Sequence, residues 1–244
     1  MKKYIIVGNG IAGITAAQAI IRADSDAELH VLGSEPYPYY QRPRLWELIA
    51  GETTQDELYF RSLEWYKNKG IQVHVEACVT ALDTNEHFLS LADGTRMAYD
   101  RLLLATGARS FVPPLAGAEK SGVFVLRSLD DALAIKEQAK RSSSAAVIGG
   151  GLLGLETARA LHSAGLDVTV IEFAPRLLPR QLDVEGARVL QSLLEAQGLR
   201  IIISAETETI MGDTHATGVC LKDGRTVDGE LVLISTGIRS RIEL

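Results

Sequence analysis

The stretch that decides the fold is Tyr4–Ala17, which has the sequence YIIVGNGIAGITAA. An apolar run typical of a buried strand enters the glycine-rich segment Gly8–Gly13, and helix-forming residues follow it. Gly8 permits a tight turn, Gly10 lets the backbone approach a pyrophosphate, and Gly13 lets the helix pack closely on the strand. The stretch therefore predicts a strand, a phosphate-binding loop and a helix whose N-terminal N–H groups face an anion.

An acidic residue follows the next apolar run at the spacing that a nucleotide ribose requires. The run Glu28–Leu32 predicts a second strand, and Ser34 and Glu35 come shortly after it. In dinucleotide-binding folds an acid about 20 residues beyond the glycines accepts hydrogen bonds from ribose hydroxyls, and Glu35 has this spacing from Gly13. The glycine pattern alone also fits an ordinary glycine-rich turn, so the acid is needed to favour a dinucleotide.

The same pattern occurs a second time in the chain. The predicted strand Ala145–Ile148 enters GGGLLG at Gly149–Gly154, and a helical segment follows. The strand Val168–Ile171 then ends at Glu172. The distance from Gly154 to Glu172 again suits an acid on a ribose.

The repeat extends beyond the glycine loops at one constant offset. Leu91–Gly94 (LADG) matches Leu221–Gly224 (LKDG), and Ala105–Ser110 (ATGARS) matches Ser235–Ser240 (STGIRS), with the same sequence separation in both cases. Each half therefore predicts a strand, a glycine loop, a helix, a second strand with its acid, a β-meander and a strand that enters Thr-Gly. Two dinucleotide sites in one chain indicate hydride transfer from a diffusible nicotinamide to a bound flavin.

The repeat predicts an α/β fold of two Rossmann-like domains, three-layer ββα domains that each contain a parallel sheet and a β-meander. We expect the first domain over residues 1–110 and the second over residues 123–236. Residues 111–122, which include two consecutive prolines, are the predicted linker, and residues 237–244 begin a return to the first domain.

Smaller elements are also predicted between these landmarks. Helices are expected at Leu45–Ala50, Asp56–Gly70 and Leu129–Arg141. Short strands are expected at Ile71–Val75, Val79–Leu82, Phe88–Leu91 and Arg96–Tyr99, and a buried parallel strand at Leu102–Ala105.

Composition excludes several classes of function. The 244 residues are 46% hydrophobic and carry a net charge of −6, with no long basic run that would bind nucleic acid. No run of about 18 apolar residues predicts a membrane span, and glycines interrupt the N-terminal apolar run that imitates a signal peptide, so the expected location is the cytoplasm. The five histidines are scattered without ligand spacing, so no metal site is expected and each is interpreted as an ordinary surface or core residue.

These motifs resemble the two-dinucleotide-binding-domain flavoproteins of the pyridine nucleotide-disulfide oxidoreductase superfamily, and the resemblance covers the whole chain. The segments Val31–Leu45 (VLGSEPYPYYQRPRL) and Leu177–Asp183 (LLPRQLD) are most similar to NADH:rubredoxin oxidoreductases and to the flavin modules of nitrite reductases. The resemblance implies that the first half binds FAD and the second half binds NAD(P)H.

The resemblance also assigns residues to each cofactor. FAD contacts are implied at Gly8, Gly10, Ile11, Ala12, Gly13, Ser34, Glu35, Arg42, Val79, Thr106, Gly107 and Ala108. Contacts with the nicotinamide dinucleotide are implied at Gly149, Gly151, Leu152, Leu153, Gly154, Glu172 and Gly237. Because a carboxylate at Glu172 repels a 2′-phosphate, NADH is favoured over NADPH, although the nearby Arg176 opposes this preference.

Glu156 is the catalytic candidate. Members of the family place an acid one helical step beyond the second glycine loop, close to the meeting of nicotinamide and flavin, and Glu156 has this position. The alternative interpretation is an acid that only stabilises the first turn of its helix.

The placement of cysteines decides what receives the electrons. Dithiol relatives carry a CxxC or CxxxxC pair beside the flavin, whereas this chain has only Cys78 and Cys220, which we expect to be buried core residues. The resemblance thus implies a small electron-carrier protein, a rubredoxin or ferredoxin, or a fused redox module as the acceptor. The alternatives are the electron-entry module of a nitrite reductase and, outside enzymes, a dinucleotide-binding redox sensor.

Two features depart from the family pattern. Trp46 and Glu47 stand where ferredoxin-serving relatives have Ser-Lys, so we expect Arg44 to supply the cation near the flavin. Relatives continue past Thr-Gly-Ile-Arg into a segment that contacts the flavin, whereas this sequence stops at Leu244. We therefore expect the FAD domain to lack its closing segment, supplied in cis or by another chain, and to expose apolar surface that promotes self-association.

Overall fold

The computed structural model describes residues 1–244, and these residues form two compact units. The first unit comprises Met1–Gln41, Gln55–Arg109 and Ser240–Leu244, and the second comprises Arg42–Thr54 and Ser110–Arg239. None of its helices combines the length and the apolar character that crossing a membrane requires.

The elements are numbered along the chain. The helices are α1 (Ile11–Ala23), α2 (Leu45–Ala50, preceded by a 3₁₀ turn at Arg42–Arg44), α3 (Gln55–Leu58), α4 (Leu63–Asn68), α5 (Leu129–Ala139), α6 (Leu152–Ser163) and α7 (Val184–Ala196). The first strands are β1 (Lys3–Val7), β2 (Glu28–Leu32), β3 (Ile71–His74), β4 (Val79–Asp83), β5 (Phe88–Leu91), β6 (Arg96–Ala98), β7 (Arg101–Leu104) and β8 (Ala108–Ser110). The remaining strands are β9 (Val123–Phe124), β10 (Ser144–Ile148), β11 (Asp167–Ile171), β12 (Arg200–Ile202), β13 (Thr207–Met211), β14 (Gly218–Leu221), β15 (Thr226–Asp228), β16 (Leu231–Ile234) and β17 (Ile238–Ser240).

The first unit is built on a parallel sheet with the strand order β3-β2-β1-β7 and an antiparallel meander, β4-β5-β6. In the sheet Val7 lies opposite Leu32 on one side and Leu104 on the other. The carboxyl ends of these strands therefore meet at one edge, which is where open α/β sheets bind their ligands.

The core of the first unit has two halves, one on each face of the sheet. Successive side chains of a strand point to opposite faces. Ile6 packs with Ile14 of α1 and Tyr66 of α4, whereas Ile5 and Val7 pack on the side of the meander. Helices, sheet and meander thus form the three layers that the sequence predicts.

The second unit repeats this architecture with a larger sheet. Its parallel strands have the order β12-β11-β10-β16-β9, and its meander is β13-β14-β15. Ala146 and Ile148 of β10 pack with Val219 and Leu221 of β14 in one buried cluster. Helix α2 belongs to this unit, where its buried apolar side chains pack against α5 and α6.

The internal repeat is confirmed strand by strand. The strands β5, β6, β7 and β8 have the same lengths as β14, β15, β16 and β17, and each begins at the same sequence distance before its counterpart. In both units the strand after the meander returns to lie beside the strand that enters the glycine loop. The repeat therefore extends from the sequence motifs to the topology.

The prediction of one helix over Asp56–Gly70 is wrong, because the segment forms the two short helices α3 and α4. Ser62 accepts a hydrogen bond from the Trp65 backbone N–H at 3.2 Å and so caps a new helix. Between the two helices the N–H of Phe60 donates to the carbonyl of Tyr39 at 3.0 Å. An N–H group bonded across the fold is not available to continue a helix.

The strand predicted at Leu102–Ala105 is parallel, as expected, but the prediction that it is buried is wrong. Leu103 of β7 is 39% exposed and Leu104 is 45% exposed. The physical reason is topology, because β7 is the edge strand of its sheet. Its counterpart β16 is buried along its whole length and pairs with β9 on its outer side.

Candidate dinucleotide-binding sites

The first glycine loop connects β1 to α1 with no room for side chains at two of its positions. Gly8 has a φ of 119°, and a Cβ atom there would lie 2.0 Å from the carbonyl oxygen of Ala105. A Cβ atom on Gly13 would lie 1.9 Å from the carbonyl oxygen of Gly8. By contrast, a Cβ atom on Gly10 would meet nothing within 4 Å. Backbone atoms therefore pack tightly against the loop at Gly8 and Gly13, whereas the space next to Gly10 is open.

The N-terminus of α1 has the features of an anion site. Gly10 is its N-cap, and no side chain caps the helix. The helices α4, α5 and α7 are instead capped by Ser62, Ser128 and Asp183. Ile11, the first helical residue, is 64% exposed. Uncapped N–H groups at the start of a helix, beside open space, fit a phosphate group.

A cavity of about 500 Å³ lies beside this loop. It is lined by four of the residues predicted to contact FAD, namely Gly8, Ser34, Val79 and Thr106. Thr106 Oγ1 also donates to the carbonyl oxygen of Arg241 at 2.8 Å, and the Gly107 carbonyl accepts from the Arg241 N–H at 3.0 Å. The structure thus brings residues from five separate segments of the first unit, including Arg241, to one cavity.

Cys78 lies on the wall of the same cavity. The prediction that both cysteines are buried core residues is wrong, because Cys78 is exposed and Cys220 is only partly buried. Cys78 precedes β4 rather than lying inside it, so its side chain is not enclosed between the sheet and the meander.

Glu35 is the third residue after β2. Its Oε2 accepts a hydrogen bond of 2.5 Å from the hydroxyl of Tyr40, which is 3% exposed. A hydrogen bond to a carboxylate is short and strong, and here it fixes the direction of the acid. Glu35 was expected to bind a ribose, whereas no motif in the sequence indicated the tyrosine that orients it.

The second glycine loop has the same geometry. Gly149 has a φ of 117°, and a Cβ atom there would lie 2.3 Å from the carbonyl oxygen of Ser235. A Cβ atom on Gly154 would lie 2.1 Å from the Gly149 carbonyl oxygen, and one on Gly151 would meet nothing within 4 Å. No side chain caps α6, and its first residue, Leu152, is 56% exposed.

A smaller cavity of about 160 Å³ lies at this second loop. Among its lining residues are Gly151, Leu152, Leu153 and Gly237, all predicted to contact the nicotinamide dinucleotide. The repeat therefore places an uncapped helix N-terminus and an adjacent cavity in each unit.

Glu172 is held beneath the second loop by backbone groups. Its Oε2 accepts from the N–H of Gly150 at 2.6 Å, and its Oε1 accepts from the N–H of Ala174 at 2.7 Å. The guanidinium of Arg176 donates to the carbonyl oxygens of Pro179 and Leu182, at 3.0 and 3.3 Å. The acid thus has a fixed place at the loop, and the neighbouring cation is engaged by its own backbone turn.

Glu156 lies on α6, one turn beyond the second loop, and its side chain is exposed. Although exposed, this carboxyl loses some of its hydration to neighbouring protein atoms, which raises the pKa of Glu156 above its ordinary value, and the charge of Arg159 acts in the opposite direction. Arg159 itself pairs with Glu52 at 3.2 Å and stacks over Trp46, with 4.8 Å between its Cζ and the ring centroid.

The two arginines of the segment before α2 contact the second unit, to which they belong. Arg42 Nη1 donates to the carbonyl oxygen of Arg127 at 3.0 Å. Arg44 forms a two-pronged ion pair with Glu47, at 2.9 Å from Nε and 2.6 Å from Nη2. The charge of Arg44 is therefore balanced by the acid of the next helical turn.

Sequence reasoning missed two polar networks in the first unit. The Tyr66 hydroxyl donates to Asn9 Oδ1 at 2.9 Å, and Asn9 Nδ2 is buried without a hydrogen-bond partner. His30 Nδ1 lies 2.9 Å from His74 Nε2, although the histidines are scattered in the sequence. No group of three or more His, Cys, Asp and Glu residues has the arrangement of a metal site.

The observed features fit a dinucleotide in each unit. The uncapped helix N-termini suit a pyrophosphate, and the open space over Gly10 and Gly151 leaves room for it.

Comparison with known proteins agrees with this geometry. The chain belongs to the pyridine nucleotide-disulphide oxidoreductase family, whose sequence profile matches residues 2–244. It is 39% identical over its whole length to the nitrite reductase [NAD(P)H] of Bacillus subtilis (strain 168), of which it covers 30%. It is 32% identical to the rubredoxin-NAD(+) reductase of Pseudomonas putida, with 98% of this chain and 63% of that protein covered.

A solved structure shows the same fold. Superposition on putidaredoxin reductase, solved in covalent complex with putidaredoxin, gives a TM-score of 0.91 at 29% identity, covering 97% of this chain and 58% of that one. The two-domain α/β fold predicted from the sequence is therefore confirmed. The chain spans between 30% and 63% of the lengths of the two curated relatives described above.

Proposed function

We propose that this chain is the FAD- and NAD(P)H-binding part of an oxidoreductase that passes electrons from NADH through a flavin to a small redox protein, without a redox-active disulfide. The observation that supports this proposal is the duplicated site. Each unit has a glycine loop, an uncapped helix N-terminus and an acid that follows the second strand of its sheet. Such a pair of sites suits two dinucleotides, the reduced nicotinamide dinucleotide NADH and the flavin dinucleotide FAD.

We assign FAD to the first unit and NADH to the second. FAD, when bound, supplies an isoalloxazine ring that accepts a hydride and releases electrons singly. The glycine loop of the first unit binds the pyrophosphate, and Glu35, oriented by Tyr40, binds the adenosine ribose. The cavity wall at Ser34, Val79 and Thr106 encloses the rest of the adenylate half.

In the second unit Glu172 is the residue that favours NADH. Its carboxylate is fixed next to Gly150, where it accepts hydrogen bonds and repels a 2′-phosphate. Arg176 donates to the backbone carbonyls of its own turn, so its guanidinium is directed to that turn and not to the carboxylate of Glu172. Glu156 is assigned the role of orienting the nicotinamide, because it lies on α6 one turn beyond the second glycine loop.

A rubredoxin or ferredoxin is proposed as the acceptor, because the chain has no closely spaced cysteine pair to receive a hydride equivalent. The name of the Pseudomonas putida relative describes rubredoxin reduction. A second candidate is the flavin module of a nitrite reductase, which the 39% identity to the Bacillus subtilis enzyme favours. The domain boundaries predicted from the sequence and the cytoplasmic location stay predictions.

The test is anaerobic reduction of the flavin. The 244-residue chain is loaded with FAD, freed of excess cofactor and titrated with NADH and, separately, NADPH, while the visible flavin band is followed. Bleaching by NADH at lower concentration than by NADPH is expected. A chain that holds FAD but is not reduced by either nucleotide would contradict the oxidoreductase proposal.

A matched variant tests the role of Glu156. Glu156→Gln is expected to slow flavin reduction by NADH about tenfold or more while FAD retention is unchanged. Adding rubredoxin or ferredoxin to the reduced protein then identifies the acceptor, by reoxidation of the flavin and reduction of the iron centre.

A further inference from the structure

The first glycine loop carries no positively charged side chain. Gly8–Gly13 contains no lysine or arginine, and the one basic residue of α1, Arg22, lies in the last turn of that helix. The loop therefore offers a phosphate neutral N–H groups and the roughly half positive charge of a helix N-terminus. A pyrophosphate carries a negative charge on each phosphate, so the loop alone balances only a part of its charge.

The wall of the cavity beside this loop carries the cations that the loop lacks. Among the side chains that line the cavity, two are cationic, Arg109 and Arg241, and one is acidic, Glu243. Gly8 and Thr106 line the same cavity. The charged groups and the start of the glycine loop therefore face one space in the first unit.

Arg109 is paired weakly in this cavity. Its Nη2 lies 3.4 Å from Glu243 Oε1, longer than the roughly 2.8 Å of a strong charge-assisted hydrogen bond. The two side chains are 62% and 59% exposed, and an exposed ion pair adds little to stability. The guanidinium is thus accessible from the cavity, and little free energy is needed to change its partner.

The backbone around Arg109 is fixed, so only its side chain has to move. The N–H of Arg241 donates to the carbonyl of Gly107 at 3.0 Å, and Thr106 Oγ1 donates to the Arg241 carbonyl at 2.8 Å. These bonds hold the segment before Arg109 against the segment that contains Glu243. The planar guanidinium can donate two parallel hydrogen bonds to a phosphate, which makes a phosphate a stronger partner than a single distant carboxylate oxygen.

We propose that Arg109 is a binding residue of the first dinucleotide site, whose guanidinium leaves Glu243 and pairs with the pyrophosphate of the bound FAD. Glu243 holds the guanidinium at the cavity wall when no dinucleotide is bound. This inference rests on the assignment of FAD to the first unit. No sequence motif indicated the pair, because Glu243 is far from Arg109 along the chain.

The experiment measures dissociation constants for FAD and for ADP, which has the adenosine and the pyrophosphate but no flavin. The full chain is compared with Arg109→Gln and Glu243→Gln. Arg109→Gln is expected to weaken the binding of both ligands about tenfold. Glu243→Gln is expected to bind both as tightly as the wild type or up to about threefold more tightly, because the guanidinium no longer has to leave a carboxylate.

The control is Arg241→Gln, which removes the same charge from the same cavity wall. Its expected loss of affinity is about threefold or less, the effect of the charge without a direct contact. Equal losses in Arg109→Gln and Arg241→Gln would assign the effect to the net charge of the cavity and overturn the proposal. A loss in Arg109→Gln that appears with FAD and not with ADP would exclude the pyrophosphate as the partner.

A purely structural role of the ion pair has a different result. If Arg109 and Glu243 only hold the cavity wall together, Glu243→Gln weakens FAD binding as much as Arg109→Gln does, and this result would also overturn the proposal. The thermal midpoint without ligand is expected to be the same in both variants and the wild type, because the pair is exposed. FAD binding that is insensitive to Arg109 overturns only this inference, whereas a wild-type chain that binds neither FAD nor ADP overturns the proposed function as well.

Discussion

Tyr40 fixes the orientation of Glu35, the acid that is predicted to bind a ribose. The Tyr40 hydroxyl holds Glu35 Oε2 at 2.5 Å, and Tyr40 is itself buried. Tyr40→Phe keeps the ring and removes the hydrogen bond, so Glu35 samples more orientations and binds the ribose less well. We expect roughly a three- to tenfold loss of FAD affinity, the range for one typical net hydrogen bond. Fluorescence titration of FAD into the cofactor-free chain measures this loss.

Tyr59→Phe is the appropriate control. Tyr59 packs against Tyr37 in the same part of the unit, but its hydroxyl is hydrogen-bonded to Gln55 rather than to Glu35. FAD affinity that is the same in Tyr40→Phe and the wild type would show that Glu35 needs no orientation by Tyr40.

We expect His74 to make the stability of the first unit depend on pH. Burial, and then the charges of His30 and Lys3, lower the pKa of His74 below its ordinary value of about 6.5. His30 also contacts Glu28 at 2.9 Å, which in turn pairs with Lys3 at 3.1 Å. The unfolded chain therefore binds more protons than the folded chain once the pH falls below about 7.

Stability is expected to fall as the pH is lowered through about 6.5, since His74 must then be protonated against its surroundings. His74→Gln should flatten the curve of unfolding free energy against pH between about 7 and 5, by at most about 1.4 kcal/mol per pH unit, the limit for one proton. Denaturant unfolding at several pH values measures the slope. His87→Gln, a change on another histidine, controls for general histidine titration, and identical slopes in wild type and His74→Gln would contradict the prediction.

At the scale of elements, local sequence was sufficient where local sterics decide the structure. The helix over Leu45–Ala50 and the strand over Glu28–Leu32 have the predicted bounds. The turns at both glycine loops were predicted correctly, because the backbone packs so closely there that no Cβ atom fits. The division of the predicted helix Asp56–Gly70 was not predictable in this way, because it depends on Phe60 bonding to a distant carbonyl.

The edge strand β7 is more exposed than its apolar sequence predicts. Parallel strands are usually buried on both faces and read as continuous apolar runs, and the sequence of β7 has this character. Burial depends on which strand or helix lies beside it, and this information is not contained in the strand itself. The exposed fractions of Leu103 and Leu104 follow from the edge position.

The repeat provides a matched pair of substitutions for this edge. Leu103 is 39% exposed, and Leu233, its counterpart in the second half of the repeat, is fully buried. Leu103→Lys is expected to change the unfolding free energy by less than about 1 kcal/mol, whereas Leu233→Lys should cost more than about 3 kcal/mol because it buries a charge. Denaturant unfolding measures both.

The same variant tests self-association through the apolar edge. If β7 is a contact between copies, Leu103→Lys should lower the concentration-dependent mass of the chain in sedimentation equilibrium. A wild type that is monomeric at all concentrations would contradict the expectation of self-association.

At the scale of the whole molecule, the repeat predicted more than any single motif. Its constant offset predicted that the meander and the strand that enters Thr-Gly recur in the second half, as β14, β15 and β16 recur after β5, β6 and β7. The assignment of residues 42–54 to the second unit was not predictable from the repeat. It depends on the packing of α2 against α5 and α6, which are far away in the sequence.

The repeat also predicts that the two ligand sites can be disabled one at a time. A Cβ atom on Gly10 or on Gly151 meets no protein atom within 4 Å, and neither glycine has a positive φ. Alanine at either position is therefore expected to cost less than about 1 kcal/mol of stability. The added methyl group enters the space through which a pyrophosphate approaches the helix N-terminus, and so each substitution acts on ligand binding.

Gly10→Ala is expected to weaken FAD binding at least about tenfold and to leave the NADH-dependent thermal shift unchanged. Gly151→Ala should do the reverse. Gly13→Ala is the contrasting control, because its Cβ would lie 1.9 Å from the Gly8 carbonyl oxygen and should destabilise the unit whether or not a ligand is present. Loss of both ligands in either of the first two variants would show that the sites do not act separately. Loss of the same ligand in both would contradict the assignment of one dinucleotide to each half of the repeat.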